Sequence, residues 1–349
     1  MYRGTGPDGK RRGGMMYVIE QALGPRWKPL AVIFAFAGMF GTLCIINANQ
    51  LTEALVAGVT TPQAIEQSTA MSALGSLTGL GAVGALRLII GLGIALVVAI
   101  VVLRGVTRIA HVASVLVPFM VGVYFLMVLY IIATNLGRVP HVITSIFTEA
   151  FNLRAGFGAL AGIAVIGARR AALVNDAGIG TASIMHGASS NNEPVREGLV
   201  AMLGPMLDSG LVCTLTALAL LLVGDFSNVE GVKGLEIAMD AFGRSIPGGE
   251  YLLLFVVLCF ALSSMFSYSY YGTQCATYLV GERRARYYTW AYIASLAVFA
   301  VVPLGIAVSM TDLFYACMAF PAMFTIIILS GRVRSATRRY FSVNDKSSK

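Results

Sequence analysis

The chain has 349 residues, 57% of them hydrophobic and only 12% charged, with a mean hydropathy of +0.78 and a formal net charge of +8. A soluble domain cannot hide that apolar fraction in one core, so the composition points to lipid as the solvent. The basic balance comes with no soluble domain of interleaved aromatics, which excludes nucleic acid as a partner.

The chain opens with the polar run MYRGTGPDGKRRGG, which lacks the apolar core of a signal peptide, so insertion is expected to rely on the spans themselves. Apolar stretches of about 20 residues or more, each able to cross a hydrocarbon core of about 30 Å as a helix, then recur along the sequence. Eight can be drawn: Lys28 to Val59, Ala82 to Leu103, Ala113 to Ala133, Gly156 to His186, Gly198 to Val223, Tyr251 to Val280, Tyr288 to Val308 and Leu313 to Leu329. The fourth and sixth contain polar clusters and are the expected places for helices interrupted in mid-membrane.

In the first stretch, CIINANQLTEAL sets Asn47, Asn49 and Gln50 among apolar residues, which suits either a pathway lining or hydrogen bonds between helices. Ahead of the second stretch, Gly79, Gly81 and Gly84 match GxGxxG, but no strand precedes them and a membrane helix follows, so they do not make a dinucleotide site. Before the sixth, GLEIAMDAFGRSIPG has apolar residues at helical spacing with charges between, which predicts a short helix lying across the outer mouth.

The fourth stretch runs through RRAALVNDAGIGTASIMHG, where Arg169, Arg170, Asn175 and Asp176 stand beside Gly178 and Gly180. An ionisable group at membrane depth costs about 2.5–3.5 kcal/mol and normally faces a cavity or a partner. The expectation is an unwound hinge whose free backbone groups hold a carboxylate or a cation. The alternative is a span ending near Ala172 with NDAG as an ordinary turn. Asp208 is a lone carboxylate in the fifth stretch, suited equally to a pathway or to an interhelical bond.

The sixth stretch carries a mid-span patch of Ser263, Ser264, Ser267, Tyr268, Ser269, Tyr270, Tyr271, Gly272 and Gln274. Hydroxyl and carbonyl oxygens are hard donors suited to an alkali cation, and small residues serve helix packing equally well. The five cysteines show no CxxC spacing and read as packing residues, and His111, His141 and His186 are isolated. No arrangement of nucleophile, base or paired carboxylates suggests an enzyme, and no cofactor is expected.

Charge sets the expected orientation. Arg104, Arg108, Arg196, Arg283, Arg284, Arg286, Arg332, Arg334, Arg338, Arg339 and the basic N-terminal run all fall on one side of an eight-span arrangement, which the positive-inside rule makes cytoplasmic. Both termini are then inside, and the tail after 330 is a topology signal able to touch anionic lipid. If the fourth stretch opens a repeat, five spans run from there to the end and three precede it in opposite orientation. That is what an inverted repeat would leave if the first two spans of its first half were absent, with an incomplete first repeat over 1–155, a second over 156–330 and a basic tail over 331–349.

Several motifs together resemble the alanine or glycine:cation symporters: NDAGIGTAS followed by EPVREGLVAMLGPMLDSGLVCT, and also RGGMMYVIEQALG, FGTLCIINANQ and SYSYYGTQCATYLVG. The resemblance covers nearly the whole chain. It implies an all-α integral membrane bundle of the leucine-transporter type, with about eight spans present and the first two core helices missing. It further implies sodium-coupled, sometimes proton-coupled, symport of alanine, glycine or a related small amino acid in a bacterial inner membrane, with sodium as the coupling ion. The other expectation for such a chain is a truncated fragment that does not transport. By the same resemblance, Asn175, Ala177, Gly178, Gly180 and Thr181 form the unwound hinge near the substrate. Asn47 and Tyr268 line the substrate pocket, and Ser263 and Ser264 help coordinate the cation. Asn47 stands where the family commonly has glutamine and Tyr268 where it commonly has tryptophan, which bears on substrate choice.

Overall fold

The protein is described by a computed structural model over residues 1–5, 11–59, 65, 67–150, 161–162, 164–168, 171, 176–224 and 234–347. A two-residue antiparallel pair, β1 (Gly4–Thr5) and β2 (Arg11–Arg12), precedes an otherwise helical chain. The helices used below are α1 (Met15–Leu23), α2 (Lys28–Gly41), α3 (Ile45–Val59), α4 (Thr69–Thr78), α5 (Gly81–Val102), α6 (Val106–Thr134) and α7 (Val139–Ala150). After them come α8 (Asp176–Ile179), α9 (Ala182–Gly187), α10 (Pro194–Pro205), α11 (Cys213–Val223), α12 (Gly234–Ser245), α13 (Gly249–Val280), α14 (Glu282–Phe299) and α15 (Leu304–Ser347).

Six segments among the described residues are long and apolar enough to cross a membrane: Pro25–Gly58, Gly81–Val102, Val106–Thr134, Pro194–Val223, Gly249–Val280 and Leu304–Ser342. Their outward faces carry bare apolar side chains, such as Leu126 at 69% exposure and Ile327 at 71%, which water would penalise and acyl chains accept. The chain is therefore a multi-pass, all-α membrane protein. The expected fourth stretch is described in part: 156–160, 163, 169–170 and 172–175 lie outside the described residues.

Three apolar clusters make the core, and α13 contributes to each. Ala261, Met265 and Phe266 pack with Ala48 and Leu51 of α3, Val98 of α5, and Tyr292 and Leu296 of α14. Further along, Tyr271 and Cys275 meet Met16 and Ile19 of α1, Phe34 of α2, Ile184 of α9, and Met318 and Ala322 of α15. At its start, Leu253 and Val256 join Met127 and Ile131 of α6, Ala219 of α11 and Phe242 of α12.

Three sequence expectations are corrected here. The sixth stretch is not interrupted: α13 is one helix of 32 residues. Its hydroxyls bond back to their own helix, Ser263 to the Phe260 carbonyl at 2.9 Å, Ser269 to Phe266 at 2.6 Å, Thr273 to Ser269 and Thr277 to Thr273 at 2.7 Å each. Polar groups satisfied in that way give the backbone no cause to unwind.

The first stretch, by contrast, is two helices, because the chain breaks over Thr42–Cys44, where Cys44 takes a φ of 53°. The seventh is bounded differently from Tyr288–Val308: α14 begins at Glu282 and ends at Phe299, and Pro303, which has no N–H and disfavours helix in the residue before it, separates it from α15. The amphipathic helix expected before the sixth stretch is present as α12 and packs on α13, α11 and α3.

An ion pair joins two of the spans. Arg87 of α5 meets Glu53 of α3 at 2.6 Å. Asn49 is an interhelical hydrogen-bonding residue, donating through Nδ2 to the carbonyls of Val302 at 2.6 Å and Phe299 at 3.2 Å at the end of α14. Those carbonyls belong to a helix end and have no intrahelical partner, so the amide caps them. Asp208 is exposed on a π-helical stretch, Met206–Val212, that follows Pro205.

Candidate functional site

The break between α2 and α3 brings chemistry to the middle of a span. Unwinding frees backbone carbonyls that lipid cannot satisfy, so neighbours must take them. The hydroxyl of Tyr288, from α14, donates to the Met39 carbonyl at 2.6 Å, and Thr42 Oγ1 donates to Gly38 at 2.7 Å. Gly272 of α13 lets these groups come together: a Cβ there would run into Tyr288 Oη and lie 2.6 Å from Thr42 Oγ1. Past the break, the Cys44 carbonyl accepts from Ala48 N at 2.9 Å and α3 resumes.

Just beyond, α3 turns Ile46, Asn47, Gln50 and Leu51 into a cavity of about 490 Å³. Its opposite wall is α13, from Leu253 to Ser264, and Tyr124 of α6 with Leu235 and Ala238 of α12 complete it. The walls are mostly apolar, and the polar groups presented are the amides of Asn47 and Gln50, the Ser264 hydroxyl and the Tyr124 hydroxyl, which is hydrogen-bonded to Thr216. A largely apolar pocket with a few convergent polar groups is the usual form of a small-molecule site.

The expected residues divide between places. Asn47 and Ser264 share this cavity. Tyr268, one turn along α13 from Ser264, is half-buried where two core clusters meet and packs against Tyr271, the rings tilted by 49° with centroids 5.3 Å apart. Ser263 is buried and turns elsewhere, donating to the Phe260 carbonyl with Met120 Sδ at 4.0 Å, because successive residues of a helix point about 100° apart.

The expected hinge is described from Asp176 onward; Asn175 lies outside the described residues, and of Ala177 only the helical backbone is described. Gly178 is part-buried, and Gly180 ends α8 with a φ of 87°, a conformation that a side chain would strain. Gly180 is wedged against Phe34 and Ala322, and Thr181 beside it is fully buried. Gly180 also borders a second cavity, of about 710 Å³, between α1, α9 and α15. Sequence reasoning marked Gly272 as part of the mid-span patch and missed Thr42, Cys44 and Tyr288 at the break. The signal for the first two was the pair of polar residues in FGTLCIIN inside an apolar run.

With this geometry in place, comparison with known proteins decides the family. The model of the sodium:alanine symporter family matches residues 1–349. The chain belongs to the sodium:alanine symporter family. Its relatives include the sodium/alanine symporter AgcS of Methanococcus maripaludis, 31% identical over all of this chain and 73% of that protein. The amino-acid carrier protein AlsT of Bacillus subtilis is 29% identical over 91% of this chain and 64% of its own length. The sodium/proton-dependent alanine carrier protein of Bacillus sp. PS3 is 33% identical over 58% of this chain and 49% of its own length. The family is one of transporters rather than enzymes. The family match does not itself bear out the expectation of two missing core helices; it covers all of this chain, which spans 73% of the length of AgcS.

Proposed function

We propose that this symporter-family chain moves alanine or a related small amino acid across a membrane together with sodium or a proton, by alternating access. Family membership and the activities for which its relatives are named support the substrate class and the coupling. The observation that carries the site is the cavity of about 490 Å³ next to the broken span, which joins Asn47 and Gln50 of α3 to Ser264 of α13. A small zwitterion needs a few polar groups and a short apolar wall, and those are the materials present. The other expectation, a truncated fragment that does not transport, is decided by the uptake test below.

In this reading Asn47 binds the amino acid and Tyr268 closes the pocket beneath it. Ser264, with Ser263 behind it, supplies hydroxyl oxygen to the cation, a hard ligand for a hard ion. Asn175, Ala177, Gly178, Gly180 and Thr181 form the hinge that alternates access, near the substrate. The two halves 1–155 and 156–330 are the inverted repeats of a leucine-transporter-type bundle, and the basic tail 331–349 lies in the cytoplasm with the N-terminus. The membrane is the bacterial inner membrane.

The test is uptake of labelled alanine into liposomes containing the purified chain, under an inward sodium gradient, an inward proton gradient or neither. Accumulation only with a gradient is expected, together with its loss in Asn47→Leu at unchanged incorporation. Equal uptake with and without gradients would sink the coupled mechanism.

A further inference from the structure

The hinge arm α8–α9 is held down by a strap that the transport reading does not use. Gly13, directly after β2, lies on α9 so closely that a Cβ on it would strike the Gly187 backbone and sit 2.7 Å from the Ser183 carbonyl. The strap is anchored on three other elements. Arg3 donates to the Asn191 carbonyl in the elbow after α9 at 2.9 Å. Arg12, only 8% exposed, pairs with Glu282 at the start of α14 at 3.3 Å. Behind it, α1 is tied by the Tyr278 hydroxyl, which donates to Glu20 at 2.9 Å, and by Arg332 of α15, which donates to the Ala22 carbonyl at 3.3 Å.

Such an arrangement has a mechanical consequence. A swing of α9 about Gly180 must break the Gly13–Gly187 approach, and the strap cannot follow while Arg12 holds Glu282. Two backbones at that distance have no side chain to yield, so the contact is present or absent rather than graded. Arg12 is nearly buried and Glu282 more than half exposed, so the pair ties the strap to the surface end of α14 and favours the closed position while it is intact.

We propose that the strap formed by residues 1–5 and 11–24 is a latch on the hinge arm, with Arg12 and Glu282 as the positioning residues that set how often it opens. The proposal rests on reading Gly180 as the hinge, and it concerns the probability of opening, not the binding of substrate. The cavity of about 710 Å³ beside Gly180, bordered by Ala182, is where an open arm would admit solvent.

The experiment uses the full chain with Ala182→Cys, and with exposed Cys213 and Cys317 replaced by serine, in sealed membrane vesicles. A charged thiol reagent is applied to each face in turn, and the alkylation rate at position 182 is read. Glu282→Gln releases the ion pair, and Gly187→Ala drives the strap off α9 without touching a charge. Both are expected to raise the rate from one face by about fivefold, the scale of one lost contact. The exchange Arg12→Glu with Glu282→Arg returns it toward the parent. Rates unchanged in both single variants overturn the proposal. So does simultaneous labelling of buried Cys259, which would mean that the strap holds the whole fold and not the arm. Alkylation needs no transport, so a chain that took up no alanine would defeat the function above and leave the latch to be decided by these rates alone.

Discussion

The first and sixth apolar stretches both place polar residues in mid-membrane, yet one is broken and the other is a continuous helix. In α13 the hydroxyls of Ser263, Ser269, Thr273 and Thr277 reach carbonyls three or four residues back, and the helix satisfies them itself. Between α2 and α3 the carbonyls are served in part from outside, by Tyr288 of α14, through space kept open by Gly272 of α13. A break in lipid therefore depends less on the polarity of a segment than on whether a neighbour stands ready to take the groups it frees. The continuous helix acts as the post on which all three core clusters pack, and the broken one supplies the amides of the cavity.

That contrast can be tested most severely at Gly272. Gly272→Val puts a branched side chain where Tyr288 Oη and Thr42 Oγ1 now meet, and the overpacking is expected to cost about 3 kcal/mol. Gradient-driven alanine uptake should vanish, with reduced accumulation in the membrane; a variant with normal uptake would show that the break tolerates displacement. Next in size is Ser264→Ala, expected to weaken the cation's apparent affinity by about tenfold, which is 1.4 kcal/mol. Ser263→Ala, whose hydroxyl is already engaged with Phe260 away from the cavity, should do much less. Sodium titrations of uptake separate the two, and unchanged sodium dependence in the double variant would remove the serines from the cation's shell.

Smaller effects sharpen the same comparison. Tyr288→Phe deletes the donor to the Met39 carbonyl and should lower stability by about 1 kcal/mol, read as a shift in thermal unfolding of the detergent-solubilised chain. Ser269→Ala removes a back-bond inside α13, where the carbonyl keeps its helical partner. It should change stability by less than about 0.5 kcal/mol. If Ser269→Ala cost as much as Tyr288→Phe, the distinction between self-satisfied and neighbour-satisfied polar groups would fail.

Composition and hydropathy determined the class of this protein, because a chain this apolar has no other way to be solvated than as spanning helices. Motifs likewise sufficed for the family, and local chemistry for the amphipathic helix α12, since it depends on residues adjacent in the chain. Asn47 and Ser264 could be singled out as polar residues in apolar runs, but their convergence on one cavity needed the packing of α3 against α13. The same packing sent Ser263 toward Met120 although it is the next residue along. The break at Thr42–Cys44, the continuity of α13 and the strap over α9 were decided by tertiary structure alone. Each turns on whether a backbone group finds its partner on another helix, and a hydrogen bond from Tyr288 to Met39 or an approach of Gly13 to Gly187 leaves no mark on the sequence near either end.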